Sequence, residues 1–264
     1  MPGGLDEEAG YRAAIEAGDT TRWYDLGLLL VGMPRRRDDA EHAFREAIEA
    51  GDTRAWTELG DLLAQRESRW PEAEKAYREA LEAGGTRAWV SLANLFYHQG
   101  RDLEAEAAYR SAIEAGYPGG WVGVGNLLAR QPDRAEEAER VYRDALGSGW
   151  IEAGDVGVLW RNLGNVLRGD PDRQDEAEHA YREAIDSGEH VAWHSLGWLL
   201  SEQPGRQEEA ELAYREAVDG GYTLALIDLG ALLARQADRR TDAEEAYRQA
   251  ASAGHRIPAG YERP

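Results

Sequence analysis

Ala55-Trp56-Thr57-Glu58-Leu59-Gly60-Asp61-Leu62-Leu63 is followed, after a short gap, by Glu72-Ala73-Glu74-Lys75-Ala76-Tyr77-Arg78-Glu79-Ala80-Leu81-Glu82-Ala83-Gly84. Almost every other segment of the chain is a variant of this unit. The aromatic of the second half recurs as Tyr11, Phe44, Tyr77, Tyr109, Tyr142, Tyr181, Tyr214 and Tyr247, with steps of 33, 33, 32, 33, 39, 33 and 33 residues. The first half recurs at Trp23, Trp56, Trp89, Trp121, Trp160 and Trp193, and Leu226 takes the seventh slot. A fixed period of this size marks a stacked array in which each unit buries its apolar face against its neighbours.

Within each half the spacing is helical. The Trp, the Leu three residues later and the apolar residue seven later share one face, as do Ala73, Tyr77 and Ala80 in the second half. Helix pairs are expected at 20–33 and 37–50, 53–66 and 70–83, 86–98 and 102–115, and 119–130 and 134–146. Three more follow at 158–168 and 173–187, 190–202 and 206–219, and 222–235 and 239–252. Residues 5–17 read as a second-half helix with no first half before it.

The punctuation agrees. Gly18, Gly51, Gly84, Gly116, Gly149, Gly188, Gly220 and Gly254 stand just past second helices, where a left-handed C-cap favours glycine. Asp19, Asp52 and Thr86 offer N-cap oxygens to first helices, and Asp38, Asp102 and Thr241 to second helices. Gly27, Gly60, Gly125, Gly164, Gly197 and Gly230, with Ala93 in the same slot, sit inside first helices at a cost of about 1 kcal/mol each against alanine. A close approach of neighbouring helices accounts for them. Between repeats four and five, residues 147–157 carry six extra positions, which either a longer loop or an added helical turn accommodates.

The 264 residues are 42% hydrophobic and 30% charged, with a formal net charge of −20. That charge opposes binding to nucleic acid or to an anionic membrane surface. Cysteine is absent, which excludes disulfides, thiolate nucleophiles and Cys-based metal sites. The acidic start and the short apolar runs predict neither a signal peptide nor a membrane span, so the expected compartment is the cytoplasm. His190 and His194 have the four-residue spacing of two metal ligands, but the glutamate of the H-E-x-x-H pattern and a third ligand are missing. No carboxylate pair stands apart from the repeating surface positions. The chain is expected to be non-catalytic, with neither cofactor nor metal.

The pattern Trp56-x-x-Leu59-Gly60-x-x-Leu63, then Ala73-x-x-x-Tyr77, resembles the tetratricopeptide repeat, and the Glu-Ala-Gly endings give it Sel1-like character. The resemblance covers residues 5–253. It implies an all-α fold: a right-handed superhelical α-solenoid of antiparallel helix pairs, about seven repeats plus one N-terminal half repeat and about fifteen helices in all. The expected layout is one solenoid, with the orphan helix at 5–17, repeats one to four at 20–146, the insertion at 147–157, repeats five to seven at 158–253 and a tail at 254–264.

The resemblance further implies a concave groove lined by first helices, faced by residues two before the Trp and one, five, eight and nine after it. Five after the Trp stand Asp61, Asn94, Asn126 and Asn165 in four consecutive repeats. Asparagine is a poor choice inside a helix, and its amide both donates to and accepts from an extended peptide backbone. Family members use asparagines in this slot to hold a partner strand; solvation of an open face is the simpler explanation. Arg54, Arg87, Arg130, Arg161, Arg168 and Arg235 add positive charge to the groove slots, against only Asp61 and Glu202. Convergent guanidinium groups suit carboxylates, although pairing with neighbouring helix glutamates is equally available to them. Tyr24, Tyr97, His194 and Trp198 complete the wall, the aromatic ones as anchors for a partner or as packing against adjacent helices.

The function that follows is a protein-binding scaffold taking an extended, acidic peptide or C-terminal segment of another protein. The alternative is self-assembly: Leu5, Tyr11 and Ile15 look apolar for a solvated end, so two N-terminal helices can pair as a homodimer, or the tail can fold back over one end.

Overall fold

A computed structural model describes residues 3–151 and 153–258, and the side chains from Asp6 onward apart from that of Ala153. It consists of fifteen α-helices and three short 3-10 turns, and no strand occurs among the described residues. Two compact units divide it, one ending at Leu127 and the other beginning at Leu128.

The first unit holds α1 (Gly3–Glu16), α2 (Arg22–Val31), α3 (Arg37–Glu49), α4 (Ala55–Ala64), α5 (Trp70–Glu82), α6 (Ala88–His98), α7 (Asp102–Glu114) and most of α8 (Gly119–Ala129). Each helix packs on the next through α6, and α6 on α7. The first helices also touch one another, α2 on α4 and α4 on α6, which builds a continuous first-helix wall. The second unit repeats the scheme with α9 (Ala135–Gly147), α10 (Ala153–Leu167), α11 (Gln174–Asp186), α12 (Val191–Ser201), α13 (Gln207–Asp219), α14 (Ala225–Ala234) and α15 (Arg240–Ser252). There α10, α12 and α14 form the corresponding wall.

The alanine stripes explain why the helices stack. Ala73, Ala76 and Ala80 are buried beside Tyr77, and Ala177, Ala180 and Ala184 beside Tyr181. Small side chains on both flanks of the aromatic let two neighbouring helices press against it. The interior glycines serve the same ring. A Cβ on Gly164 would lie 2.6 Å from the Tyr181 ring, and one on Gly197 2.7 Å from that of Tyr214. The close approach is therefore ring to helix backbone, inside one repeat. In repeat three the slot holds Ala93, and the room is found elsewhere: Tyr109 lies against Gly123 of α8, where no Cβ would fit.

Three local expectations change. After α13 the left-handed residue is Gly221 at φ 92°, whereas Gly220 stays at φ −74°. Second helices begin directly after an arginine (Arg36, Arg69, Arg101, Arg134, Arg173, Arg206 or Arg239) that makes no side-chain cap, so Asp38 and Asp102 fall inside the first turn rather than at the N-cap. The first helix of repeat five starts at Ala153 rather than 158, so much of the insertion becomes added turns of α10.

The Trp side chains are half-buried rather than fully internal, and Leu226 is 5% exposed in their seventh slot. On α1, Tyr11 and Ile15 are half-buried. The side chain of Leu5 and residues 259–264, which carry most of the suggested tail, lie outside the described residues.

Candidate functional site

The slot five residues after the Trp faces the tip of the second-helix tyrosine. The Tyr77 hydroxyl donates to Asp61 Oδ1 at 2.8 Å, the Tyr181 hydroxyl to Asn165 Oδ1 at 2.9 Å, and the Tyr109 hydroxyl to Asn94 Oδ1 over a short bond. Burial pushes the phenols of Tyr109 and Tyr181 up to about 12, and Tyr77 is raised by burial and by the Asp61 charge, so all three stay donors at neutral pH. A buried hydroxyl needs an acceptor, and in these three repeats the slot supplies it. Repeat one provides the internal control: Phe44 has no hydroxyl, and its slot holds Leu28. The polar run in the sequence thus has a structural cause that the spacing alone did not reveal.

Each bond uses only one side of the amide. Asn94 and Asn165 spend Oδ1 on the tyrosine, and Nδ2 of each has no partner among the described residues. Asn94 is exposed and Asn165 half-buried. In the first unit, Asn94, Tyr97 and His98 of α6 face Val122 and Asn126 of α8 across a cleft of about 320 Å³. Tyr109, whose ring packs against Gly123, forms its floor, and Gly119 lies beside Val90 on the rim. Three of the sequence-derived site residues, Asn94, Tyr97 and Asn126, therefore meet in one recess.

The arginines are anchored locally. Arg54 binds Asp52 through Nε at 2.9 Å and Nη2 at 2.6 Å, and its guanidinium stacks 4.3 Å above the Tyr24 ring. Arg87 bridges Glu58 at 2.6 Å and Asp61 at 3.0 Å. Both keep about half or more of the side chain exposed, 66% and 49%. In the second unit Arg161 pairs with Glu189 at 3.2 Å, and Arg235 lies 3.9 Å from Glu202. Arg168 stacks 4.3 Å over Trp198, which remains 40% exposed. His194 Nε2 meets Asp228 Oδ2 at 2.7 Å, with its ring against Tyr214 and Tyr222. Arg130 is exposed just beyond the end of α8.

Sequence reasoning missed a second polar ladder. Within each unit, arginines at the start of second helices reach back to a glutamate of the preceding second helix: in the first, Arg36 to Glu8 at 2.8 Å, Arg69 to Glu41 at 2.6 Å and Arg101 to Glu74 at 2.7 Å. The second unit continues with Arg173 to Glu139 at 2.6 Å, Arg206 to Glu178 at 2.6 Å and Arg239 to Glu211 at 3.0 Å. The same glutamates accept from an arginine one turn along their own helix, such as Arg45 on Glu41 and Arg182 on Glu178. The arginine also grips the acid three residues on, as Arg69 does Glu72. These glutamates are nearly buried, with only 8% of the Glu178 side chain and 18% of that of Glu41 exposed. Hydrogen bonds from Arg69 and Arg206 hold the Glu41 and Glu178 carboxyls below the usual range. A visible signal existed: an arginine just before each second helix, with a Glu four residues short of the Arg that follows the aromatic. Glu74 accordingly belongs to a tie between repeats, not to a freely solvated face. Through Glu8, α1 enters the same ladder.

Comparison with known proteins places this architecture. The tetratricopeptide repeat family model matches residues 24–85 and 64–120. Among solved structures, yeast Tom70 superposes with a TM-score of 0.67 at 14% identity, over 94% of this chain and 55% of that one. A protective antigen of uropathogenic Escherichia coli displaying an SLR fold gives 0.63 at 19% identity, over 93% and 62%. A Sel1 repeat protein from Oxalobacter formigenes gives 0.56 at 19% identity, over 92% and 99%. The chain thus spans less than two thirds of the first two structures. No curated protein matches it in sequence. The described residues have the all-helical repeat fold of these structures, and the tetratricopeptide match lies within residues 24–120. Repeats of this kind generally mediate protein–protein interaction. No helix among the described residues is long and apolar enough to cross a membrane.

Proposed function

We propose that this chain is a non-catalytic scaffold whose first-helix faces hold an extended, acidic segment of a partner protein. The observation that carries the reading is the recess between α6 and α8, where Asn94, Tyr97 and Asn126 line one open cleft. An extended peptide presents alternating donors and acceptors, and the Asn94 amide, pinned from behind by the Tyr109 hydroxyl, meets it without losing further rotamer freedom. Arg54 and Arg87 support the acidic preference. Each is oriented by its own carboxylates yet half exposed, and a guanidinium has five donors, more than those contacts use. Such pre-ordered cations offer charge-assisted bonds at low entropic cost.

The test exploits a substitution already present in the array. Asp61 occupies the asparagine slot of repeat two and accepts from Tyr77, so Asn94→Asp/Asn126→Asp keeps an acceptor for the hydroxyl while removing the amide donors and adding like charge against an acidic guest. Peptides selected from a random display library on the full chain are expected to be acidic and to lose about tenfold or more in affinity on this double variant. Equal binding to both proteins, or selection of peptides without acidic bias, overturns the proposal.

A further inference from the structure

The opposite side of the array carries grooves between successive second helices, each floored by the first helix between them. Between α9 and α11 the floor is Trp160, Leu163 and Leu167, and the groove measures about 290 Å³. The matching groove between α13 and α15 is floored by Leu226, Leu229 and Leu233 and measures about 430 Å³. Six repeats fill this slot with a tryptophan; the seventh holds only Leu226. In repeat five the Trp160 indole rests edge-on against His179, with ring centroids 6.1 Å apart. In repeat seven Glu245 takes the place of His179 and is paired with Arg248 instead. The groove is thus an indole site without its indole.

Its charge specifies the rest of the occupant. Arg215, on one rim, is neutralised by Glu211 at 2.6 Å, and Asp242, on the other, by Arg239 at 2.5 Å. Asp219 lines the same groove, is exposed and makes no ion pair among the described residues. One unbalanced carboxylate beside an apolar floor suits an aromatic anchor with a cation next to it. We propose that the α13–α15 groove binds the tryptophan side chain of a partner segment carrying basic neighbours. This site lies on the second-helix side and is independent of the acidic-peptide reading above.

Because the chain has nine tryptophans of its own, the probe is a fluorescein-labelled Gly-Ser-Arg-Trp-Arg-Ser-Gly peptide followed by anisotropy. The full chain is expected to bind it saturably, and replacing the peptide's Trp by Ala should weaken binding about tenfold or more. Leu226→Trp restores the residue the other repeats use, fills the groove, and should weaken binding by about as much without lowering the melting temperature. Asp219→Lys should weaken the basic peptide severalfold and leave a Gly-Ser-Ser-Trp-Ser-Ser-Gly peptide unchanged. Asn94→Asp/Asn126→Asp should bind the probe like the parent, which separates this site from the α6–α8 cleft. Undiminished binding to Leu226→Trp, or equal binding of the Ala peptide, overturns the proposal. Should Leu226→Trp fail to fold, undiminished binding of the basic peptide to Asp219→Lys overturns it.

Discussion

Repeat five and its neighbours show two faces held by different chemistry. On the second-helix side, Arg–Glu–Arg clusters tie one repeat to the next, as Glu178 is gripped by Arg182 on its own helix and Arg206 on the following second helix. On the first-helix side, a neutral hydroxyl–amide bond closes within a single repeat, as between Tyr181 and Asn165. The ionic ties complete their valences between repeats and leave little for a visitor. The hydroxyl–amide bonds fix one side of an amide and leave the other open. Cohesion between repeats therefore draws on the ionic side, and amide donors stay open on the other.

Acid should break that division most strongly, because it acts on many ties together. Glu8, Glu41, Glu139 and Glu178 all have carboxyls lowered chiefly by hydrogen bonds from Arg36, Arg69, Arg173 and Arg206. A lowered carboxylate stabilises the fold fully above its ordinary value, near 4.5 here, and loses that contribution as pH falls through the folded value. The melting temperature should therefore be flat above about pH 5 and drop steeply below about 4.5. The tyrosines behave oppositely. Burial raises Tyr109, Tyr181 and Tyr214 to about 12, so their contribution is whole below the ordinary phenol value of about 10 and is lost as pH rises toward 12. A stability profile from pH 3 to 12 that sags equally across the neutral range would contradict both halves.

Single substitutions sharpen the contrast. Glu178→Ala strands two guanidinium groups beside a nearly buried gap and should cost about 2–3 kcal/mol in urea unfolding. Because Arg182 and Arg206 remain partly exposed, 55% and 26%, they can rehydrate, which keeps the loss below that of a fully internal pair. A loss under about 0.5 kcal/mol would place Glu178 with ordinary surface carboxylates.

The hydroxyl–amide pair should show coupling of about 1 kcal/mol. Asn165→Leu leaves the Tyr181 hydroxyl without its acceptor, and Tyr181→Phe leaves the amide carbonyl to water; the double variant recreates the Leu28 and Phe44 pairing of repeat one. It should recover most of what Asn165→Leu loses. Strict additivity in the cycle would mean that the bond contributes nothing beyond its parts.

Repeat one also shows how far the sequence reads. The Trp, Leu, Ala and Tyr spacings dictate helices whatever their neighbours do, and α2 to α7 fall within a few residues of their expected bounds. The correspondence between Leu28 and Phe44 was equally present in the letters, but its meaning depends on a ring reaching across to a position 16 residues away, as Tyr77 does to Asp61. The Arg–Glu ties span 28 residues between Arg36 and Glu8, and 34 between Arg173 and Glu139. Such a tie becomes visible only once second helices are known to lie side by side. The same holds for Gly123, which makes room for Tyr109 from the next repeat because Ala93 does not. Local periodicity was legible. Contacts between repeats depend on stacking geometry, and that is where the site takes its shape.

The smallest effect tests whether position in the ladder, rather than ion pairing as such, matters. Arg248 pairs with Glu245 three residues back on α15, and both side chains are at least half exposed, 58% and 50%. No second helix follows α15 among the described residues to supply a long-range arginine such as Arg206 supplies to Glu178. Water screens such a pair almost as well unpaired as paired, and holding two long side chains together costs rotamer entropy. Arg248→Ala should therefore change stability by less than about 0.5 kcal/mol, although its helical context resembles that of Arg182. A loss near that of Glu178→Ala would mean that the intrahelical contact alone carries the energy, and that the reach between repeats adds geometry without strength.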